Sequence, residues 1–390
     1  MGNTNHGKLK GVLFLGLYDF LFLSNGYGED AIASKIAETA QNQRSSAAFP
    51  LIGRGKSYEK RGVPVIHSFP ELPSAGVSFY QDFKSGLIRR LKDEWTALEK
   101  IGKEARFIIA VGDIFPVFLS QYSARRPTVF IGTAKSHYVQ DYNFLERSLL
   151  KRNLKNFVRD KITADVLNKK DTAADFVGNP MMDETLAATW NFPDFDGLTL
   201  ALLPGSRSDC AENFSIQVEA LQLLQQTKRV KIRGIAHLPP SLDPKILTSK
   251  LIGWDGVSTN EAPFLLGAYT QGEVLLLLAQ NSLGETLKAS SLVLGQAGTG
   301  NEQAAGAGKP VVAFDWSFSR NGKLSWYRWR QKKLLGDALA VVRADSKHLA
   351  EKTYHILGDR DLYQKMSYEG KNRMGPAGGS QKIVEYLKTL

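Results

Sequence analysis

Short apolar runs alternate with longer amphipathic stretches along the chain, and this alternation constrains the fold more than any single motif. Apolar runs bounded by turn residues read as buried strands and the stretches between them as crossover helices, the pattern of parallel sheets. In the first half, strands are expected at residues 20–24, 47–52, 63–67, 107–111, 128–131 and 176–177, with helices clearest at 30–41 and 79–102. The second half repeats the theme, with strands at 198–203, 230–235, 274–278, 291–294, 311–314 and 338–342. Helices at 347–357, 361–373 and 380–387 finish the chain. Periodicity fails between Gly178 and Gly197, where the halves divide. A chain of 390 residues is long enough for two domains with separate cores. Two doubly wound halves leave a cleft lined by the carboxyl ends of both sheets, where such folds hold ligands.

Two turns in the second half suit an anion. The strand at 198–203 ends in Pro204-Gly205-Ser206-Arg207 and feeds a helix at 211–224. Gly205 permits close backbone approach, the helix start offers free N–H groups, and Arg207 adds a planar fork suited to phosphate. The same residues also permit a plain S-x-x-D cap, Ser206 with Asp209. The second turn, Gln296-Ala297-Gly298-Thr299-Gly300-Asn301-Glu302-Gln303, opens a helical stretch at 304–308. Glu302 is placed to accept both hydroxyls of a ribose; its rival role is a T-x-x-E capping box with Thr299.

The first half has a matching loop, Ser24-Asn25-Gly26-Tyr27-Gly28-Glu29-Asp30, after a strand and before a helix at 31–39. Asn25, Gly26, Gly28, Glu29 and Asp30 are its candidate acceptor-side contacts, although Asp30 can equally serve the helix dipole. Asp113, at the end of the strand 107–111, is the candidate general base, its rival role being to start the next helix.

Composition narrows the setting. Hydrophobic residues at 43% and charged residues at 23% are ordinary for a globular chain and exclude wholesale disorder. One cysteine, Cys210, excludes an intrachain disulfide framework and suits a reducing compartment. The apolar segment 11–23 carries Asp19 and is too short to span a bilayer, so a first buried strand within it and a cytoplasmic location are expected. The net charge is +11, and basic residues bunch at 54–61, Arg89-Arg90, 147–161 and 328–333. Interleaved with Trp316, Phe318, Trp326 and Tyr327, the last cluster suits an anionic membrane surface; no nucleic-acid module accompanies the charge.

In order along the chain, these loops resemble lipid-A-disaccharide synthase and its relatives among the GT-B glycosyltransferases. ALLPGSRSDCAENF (201–214) is similar to the family's LLPGSR signature, and FVGNPMMDE (176–184) to its domain-junction segment. AVGDIFPVF (110–118) resembles the strand end that carries the family's proposed base, which falls on Asp113. SNGYGED (24–30) stands where the family has its first-domain glycine loop, and GQAGTGNEQAAGAGKPVV (295–312) is similar to its donor segment. Departures concentrate on the acceptor half and the closing loop: Asn179 replaces a histidine, Val117 an aspartate, and Leu335-Gly336-Asp337 an L-P-N tripeptide.

The resemblance implies an α/β GT-B fold. An acceptor-side Rossmann-like domain would occupy 1–180 and a donor-side domain 181–370, with 371–390 returning to the first domain. It implies an inverting hexosyltransferase that moves a sugar from a nucleoside diphosphate sugar, a UDP sugar by expectation, to a membrane-associated acceptor, with a lipid among the candidates. Gly205, Ser206 and Arg207 would hold the diphosphate, Gln296, Gly298, Thr299, Gly300, Glu302 and Gln303 the rest of the donor, and Asp113 would take the acceptor's proton. No cofactor or metal is expected. Asp194-Phe195-Asp196 spells a D-x-D but lies in a Pro- and Gly-flanked junction, and the six histidines form no i, i+4 ligand pair. The alternatives are a nucleotide-sugar 2-epimerase and a catalytically silent protein that binds nucleotide sugar or membrane. The sequence leaves oligomeric state open.

Overall fold

The computed structural model describes residues 16–68, 87–239, 242–258, 262 and 264–390. Two sheets carry the molecule. The first comprises β1 (Tyr18–Ser24), β2 (Ser46–Pro50), β3 (Ala105–Gly112), β4 (Thr128–Gly132) and β5 (Lys155–Val158), ordered β2-β1-β3-β4-β5 with every pair parallel. The second comprises β6 (Leu198–Leu203), β7 (Ile232–Leu238), β8 (Asp255–Val257), β9 (Leu265–Gln271), β10 (Val274–Gln280), β11 (Leu292–Gly295), β12 (Val311–Asp315) and β13 (Leu339–Arg343). Its order is β13-β12-β11-β6-β7-β10-β9-β8, parallel except for the antiparallel β10–β9 and β9–β8 pairs. This is the GT-B architecture of two Rossmann-like domains.

Strand pleating explains why the central strands carry apolar residues on both faces. Alternate residues face opposite sides of a sheet, and helices cover both sides. Phe20 and Phe22 pack with Ala33, Ile36 and Ala37 of the helix Tyr27–Gln41, whereas Leu21 and Leu23 pack with Leu98 and Leu119 on the other face. In the second sheet Leu200 and Leu202 meet Phe214, Val218 and Leu221, while Ala201 and Leu203 meet Met182, Ala304 and Ala305. The last helix, Gly379–Lys388, returns to the first domain and buries Ile383, Val384 and Leu387 beside Phe20 and Phe22. The chain crosses between domains twice, and the crossings are tied together. Asn179 donates to the Met374 carbonyl at 2.9 Å, and the Asp183 carboxylate accepts from Gly378 N and Ser380 N.

Several expected elements differ. Residues 63–67 form no strand, only a single bridge from Val65 to Ala48, and near 176–177 only Asp175 bridges, to Phe157. The fifth strand is instead Lys155–Val158, inside a stretch read as a basic surface run. The β8–β9 pair has no counterpart in the sequence expectation. Of the helix expected at 79–102, Leu87–Ile101 is described and 79–86 lie outside the described residues. The helix after β1 begins at Tyr27, four residues before the expected Ala31. Among the described residues no helix is long and apolar enough to cross a membrane.

Strand order places the loops. In the first sheet the direction of winding reverses between β1 and β3; in the second it reverses between β6 and β11. Ligands of doubly wound folds bind outside the carboxyl ends of the strands at such reversals. The four loops singled out in the sequence follow β1, β3, β6 and β11.

Candidate functional site

The turns after β6 and β11 face each other. Gly205 has φ +96°, a left-handed conformation that favours glycine, and a Cβ there would stand 3.6 Å from the Gln296 carbonyl oxygen. Gln296 N donates to the Leu203 carbonyl at 2.7 Å, joining the turns at their bases. From below, Asn213 Nδ2 donates to Pro204 O at 3.0 Å and Cys210 Sγ to Gly205 O at 3.2 Å. Burial, with the Asp209 charge second, pushes the Cys210 thiol up to about 11, which suits a packing group rather than a nucleophile.

Neither proposed capping motif forms. Asp209 stands at the N-cap of the helix Cys210–Lys228 and Gly298 at that of Thr299–Gly306, and neither helix start has a side-chain cap. Free N–H groups therefore end both helices beside the turns. The second turn is fixed from within by buried Asn301, whose Nδ2 donates to Gly295 O, and by Gln331, whose Nε2 donates to Ala297 O and Gly298 O.

Between the turns lies a cavity of about 650 Å³, a size common for small-molecule sites. Gly205, Ser206, Arg207, Gln296, Gly298, Thr299, Gly300 and Gln303 line it, together with His237, Asp315, Tyr327 and Arg328, which sequence reasoning missed. The Arg207 guanidinium lies over the Tyr327 ring, 4.8 Å from its centre. Asp315 caps the helix Trp316–Asn321 and accepts from Ser325 N and Oγ; despite burial, these bonds hold its carboxyl below the usual range.

Glu302 is placed differently from the other donor candidates. It lines a second cavity of about 260 Å³ with Gly28, Glu29, Thr133 and Arg159, and it pairs with Arg159 Nη2 at 2.8 Å. Arg159 comes from the first domain, is 9% exposed, and also donates to Thr133 O. The carboxylate is thus committed to an ion pair across the cleft, which burdens the ribose role expected of it. Thr299 and Gln303 line both cavities, so the start of their helix separates the two.

The first-domain loop divides its residues among several tasks. A Cβ on Gly28 would lie 3.9 Å from Thr299 Oγ1, so this loop faces the turn after β11 across the cleft. Glu29 lines the small cavity and receives a 3.4 Å bond from Thr133; burial raises its pKa, with smaller help from Asp113 and Glu302. Gly26 starts the helix. Asp30 does not fit a contact role: it is 2% exposed and accepts from Ser24 Oγ at 2.6 Å, in a buried group with Tyr58.

Asp113 caps the helix Ile114–Leu119 by accepting from Phe115 N, and it accepts from Asn25 Nδ2 at 2.7 Å. Both bonds fall on Oδ1. Burial raises its pKa against these two bonds. Gly112, at φ +130°, makes the arrangement possible, since a Cβ there would stand 1.9 Å from Asn25 Oδ1. Among the described residues Asp113 lines neither cavity; of the two carboxylates, Glu29 is the one that lines the small cavity.

The basic clusters also need correction. Arg159 and Arg328, both from stretches read as anionic-surface contacts, are buried. Asp194 and the adjacent Phe195 line a separate cavity beside Arg233, and among the described residues no group of three or more potential metal-ligating side chains occurs.

No family model matches the chain, and no curated protein matches it in sequence. Solved structures match over nearly its whole length. A putative UDP-N-acetylglucosamine 2-epimerase from Listeria monocytogenes is 14% identical, with 95% of this chain and 96% of that one covered and a TM-score of 0.60. The calicheamicin glycosyltransferase CalG4 is 15% identical, with 95% and 98% covered and a TM-score of 0.57. MurG from Acinetobacter baumannii is 12% identical, with 95% and 99% covered and a TM-score of 0.54. At these identities the likeness establishes the fold.

Proposed function

We propose that this protein is an inverting glycosyltransferase that uses a nucleoside diphosphate sugar. One observation carries the reading: two amide-rich turns at the strand-order reversal of the second domain face each other over a single cavity that includes Arg207. The diphosphate sits against Gly205, Ser206 and Arg207, and the rest of the donor lies along Gln296, Gly298, Thr299, Gly300 and Gln303. Gln303, which reaches both cavities, is better placed toward the donor than Glu302.

Transfer forms a bond between an acceptor oxygen and the anomeric carbon and breaks the bond from that carbon to the diphosphate. The acceptor's proton passes to a first-domain carboxylate. Asp113 fills this role, with Oδ2 as the proton acceptor because Oδ1 is held by Phe115 and Asn25. The electron pair leaves with the diphosphate, whose charge Arg207 and the helix N-termini stabilise without a bound cation. The acceptor is a membrane-associated molecule. Phe144 and Leu145 stand 74% and 72% exposed ahead of Arg147 and Lys151, and Trp326 is similarly bare beside Arg330, an arrangement that suits a lipid headgroup region.

A second reading, 2-epimerisation of the nucleotide sugar, draws support from Glu29. That carboxylate lies beside Asp113 with its pKa also raised, and two such groups could remove and return a proton on a sugar carbon. A thermal-shift screen of nucleotide sugars tests the shared premise, because selective binding to the folded state raises stability. A stabilising nucleotide sugar that loses at least tenfold in affinity in Arg207→Ala supports the placement; full affinity in that variant refutes it. Incubating the sugar nucleotide alone and finding an isomerised product would favour the epimerase.

A further inference from the structure

Arg328 belongs to a basic, aromatic-rich cluster, yet it points inward. It lies in the helix Trp326–Leu335, is only 4% exposed, and lines the large cavity. Its guanidinium donates to two neutral acceptors, Gln296 Oε1 and Gln331 Oε1. Among the described residues no carboxylate lies within 4 Å of it. Arg207 and Arg328 flank the same Tyr327 ring, their guanidinium carbons 4.8 and 5.8 Å from its centre.

A buried cation ordinarily has a charged partner, because desolvation is costly unless an opposite charge offsets it. Here burial outweighs the favourable influence of Tyr327, Asp315 and Asp209, and Arg207 adds repulsion. The two glutamine oxygens orient the fork without neutralising it. Gln331 also holds the second turn through Ala297 O and Gly298 O, so Arg328 is fixed relative to that turn.

We propose that Arg328 is a second anion-binding residue of the large cavity and that, with Arg207, it forms a two-guanidinium site for a diphosphate. The inference rests on the nucleotide-sugar reading for the identity of the ligand, but its electrostatic content is independent of the base. The bound diphosphate supplies the charge the protein withholds, and Arg328 supports it from the inner wall while Arg207 meets it from the exposed side.

The test compares wild type, Arg328→Gln and Arg328→Lys for binding of inorganic pyrophosphate and UDP by titration calorimetry, with thermal unfolding as a check on folding. A lost charged hydrogen bond of this kind weakens binding by about 10- to 100-fold. Arg328→Gln is expected to lose that much affinity for both probes, and Arg328→Lys, which keeps the charge but not the fork, to fall between it and wild type. Should the glutamine variant fail to fold, the lysine variant carries the test through a loss of at least threefold. Wild type that binds pyrophosphate but not UDP would support this site and sink the nucleotide reading. Folded variants that bind both probes within twofold of wild type would overturn the proposal, as would wild type that binds neither.

Discussion

The substitution Glu302→Gln removes the carboxylate that meets Arg159 across the cleft. Leaving one member of a buried ion pair alone costs about 3–5 kcal/mol. Three features place this case at the lower end. Glu302 keeps 19% exposure, Asp160 stands 3.8 Å from Arg159 Nε, and the Thr133 carbonyl still accepts from Nη1. The expected loss is therefore about 3 kcal/mol. Removing both charges with Arg159→Met and Glu302→Gln together should restore most of it, with a coupling energy of about 2 kcal/mol in a double-mutant cycle. Chemical denaturation of the four proteins, followed by tryptophan fluorescence, measures the cycle, and calorimetry gives the UDP affinity of each. Because Glu302 lies off the large cavity, Glu302→Gln should bind UDP within threefold of wild type. Unchanged stability combined with a tenfold or greater loss of UDP affinity would refute this reasoning and return Glu302 to the ribose.

Burial pushes the Asp30 carboxyl from 3.8 up to about 7, so the fold prefers its protonated form. That contribution is complete below pH 3.8 and is lost as pH rises through 7. Asp30→Asn, always neutral, should exceed wild type in stability by up to about 4 kcal/mol at pH 8, the gap narrowing toward pH 4 in denaturation curves; equal or lower stability at pH 8 would contradict it. For the reaction, Asp113→Asn should reduce kcat by about 100-fold or more with donor affinity unchanged, whereas Glu29→Gln should reduce it less. Steady-state rates with a competent acceptor decide, and a larger loss in Glu29→Gln would transfer the proton to Glu29.

The sequence made the backbone of the site legible and its charges much less so. β6 matches its expected bounds residue for residue, because a run apolar at every position but Thr199 and closed by Pro204 and Gly205 has few other uses. β5 was hidden because Lys155 and Asn156 occupy half of it, and the run around them is basic. Neighbours on a helix point about 100° apart, which sends Glu29 to the cavity and Asp30 into the core although both stand in one polar loop of the sequence. In the sequence Arg159 and Arg328 look like surface charge for a related reason. What a guanidinium meets depends on residues far along the chain, Glu302 for one and Gln296 for the other.

Amide hydrogen exchange with and without UDP tests most directly whether the β6 and β11 turns hold one ligand together. Peptides covering 203–210 and 296–303 should gain protection in concert, at the same UDP concentration, while the distant β8–β9 pair stays unchanged. Protection of one turn alone, or of neither while UDP binds elsewhere, would contradict the account.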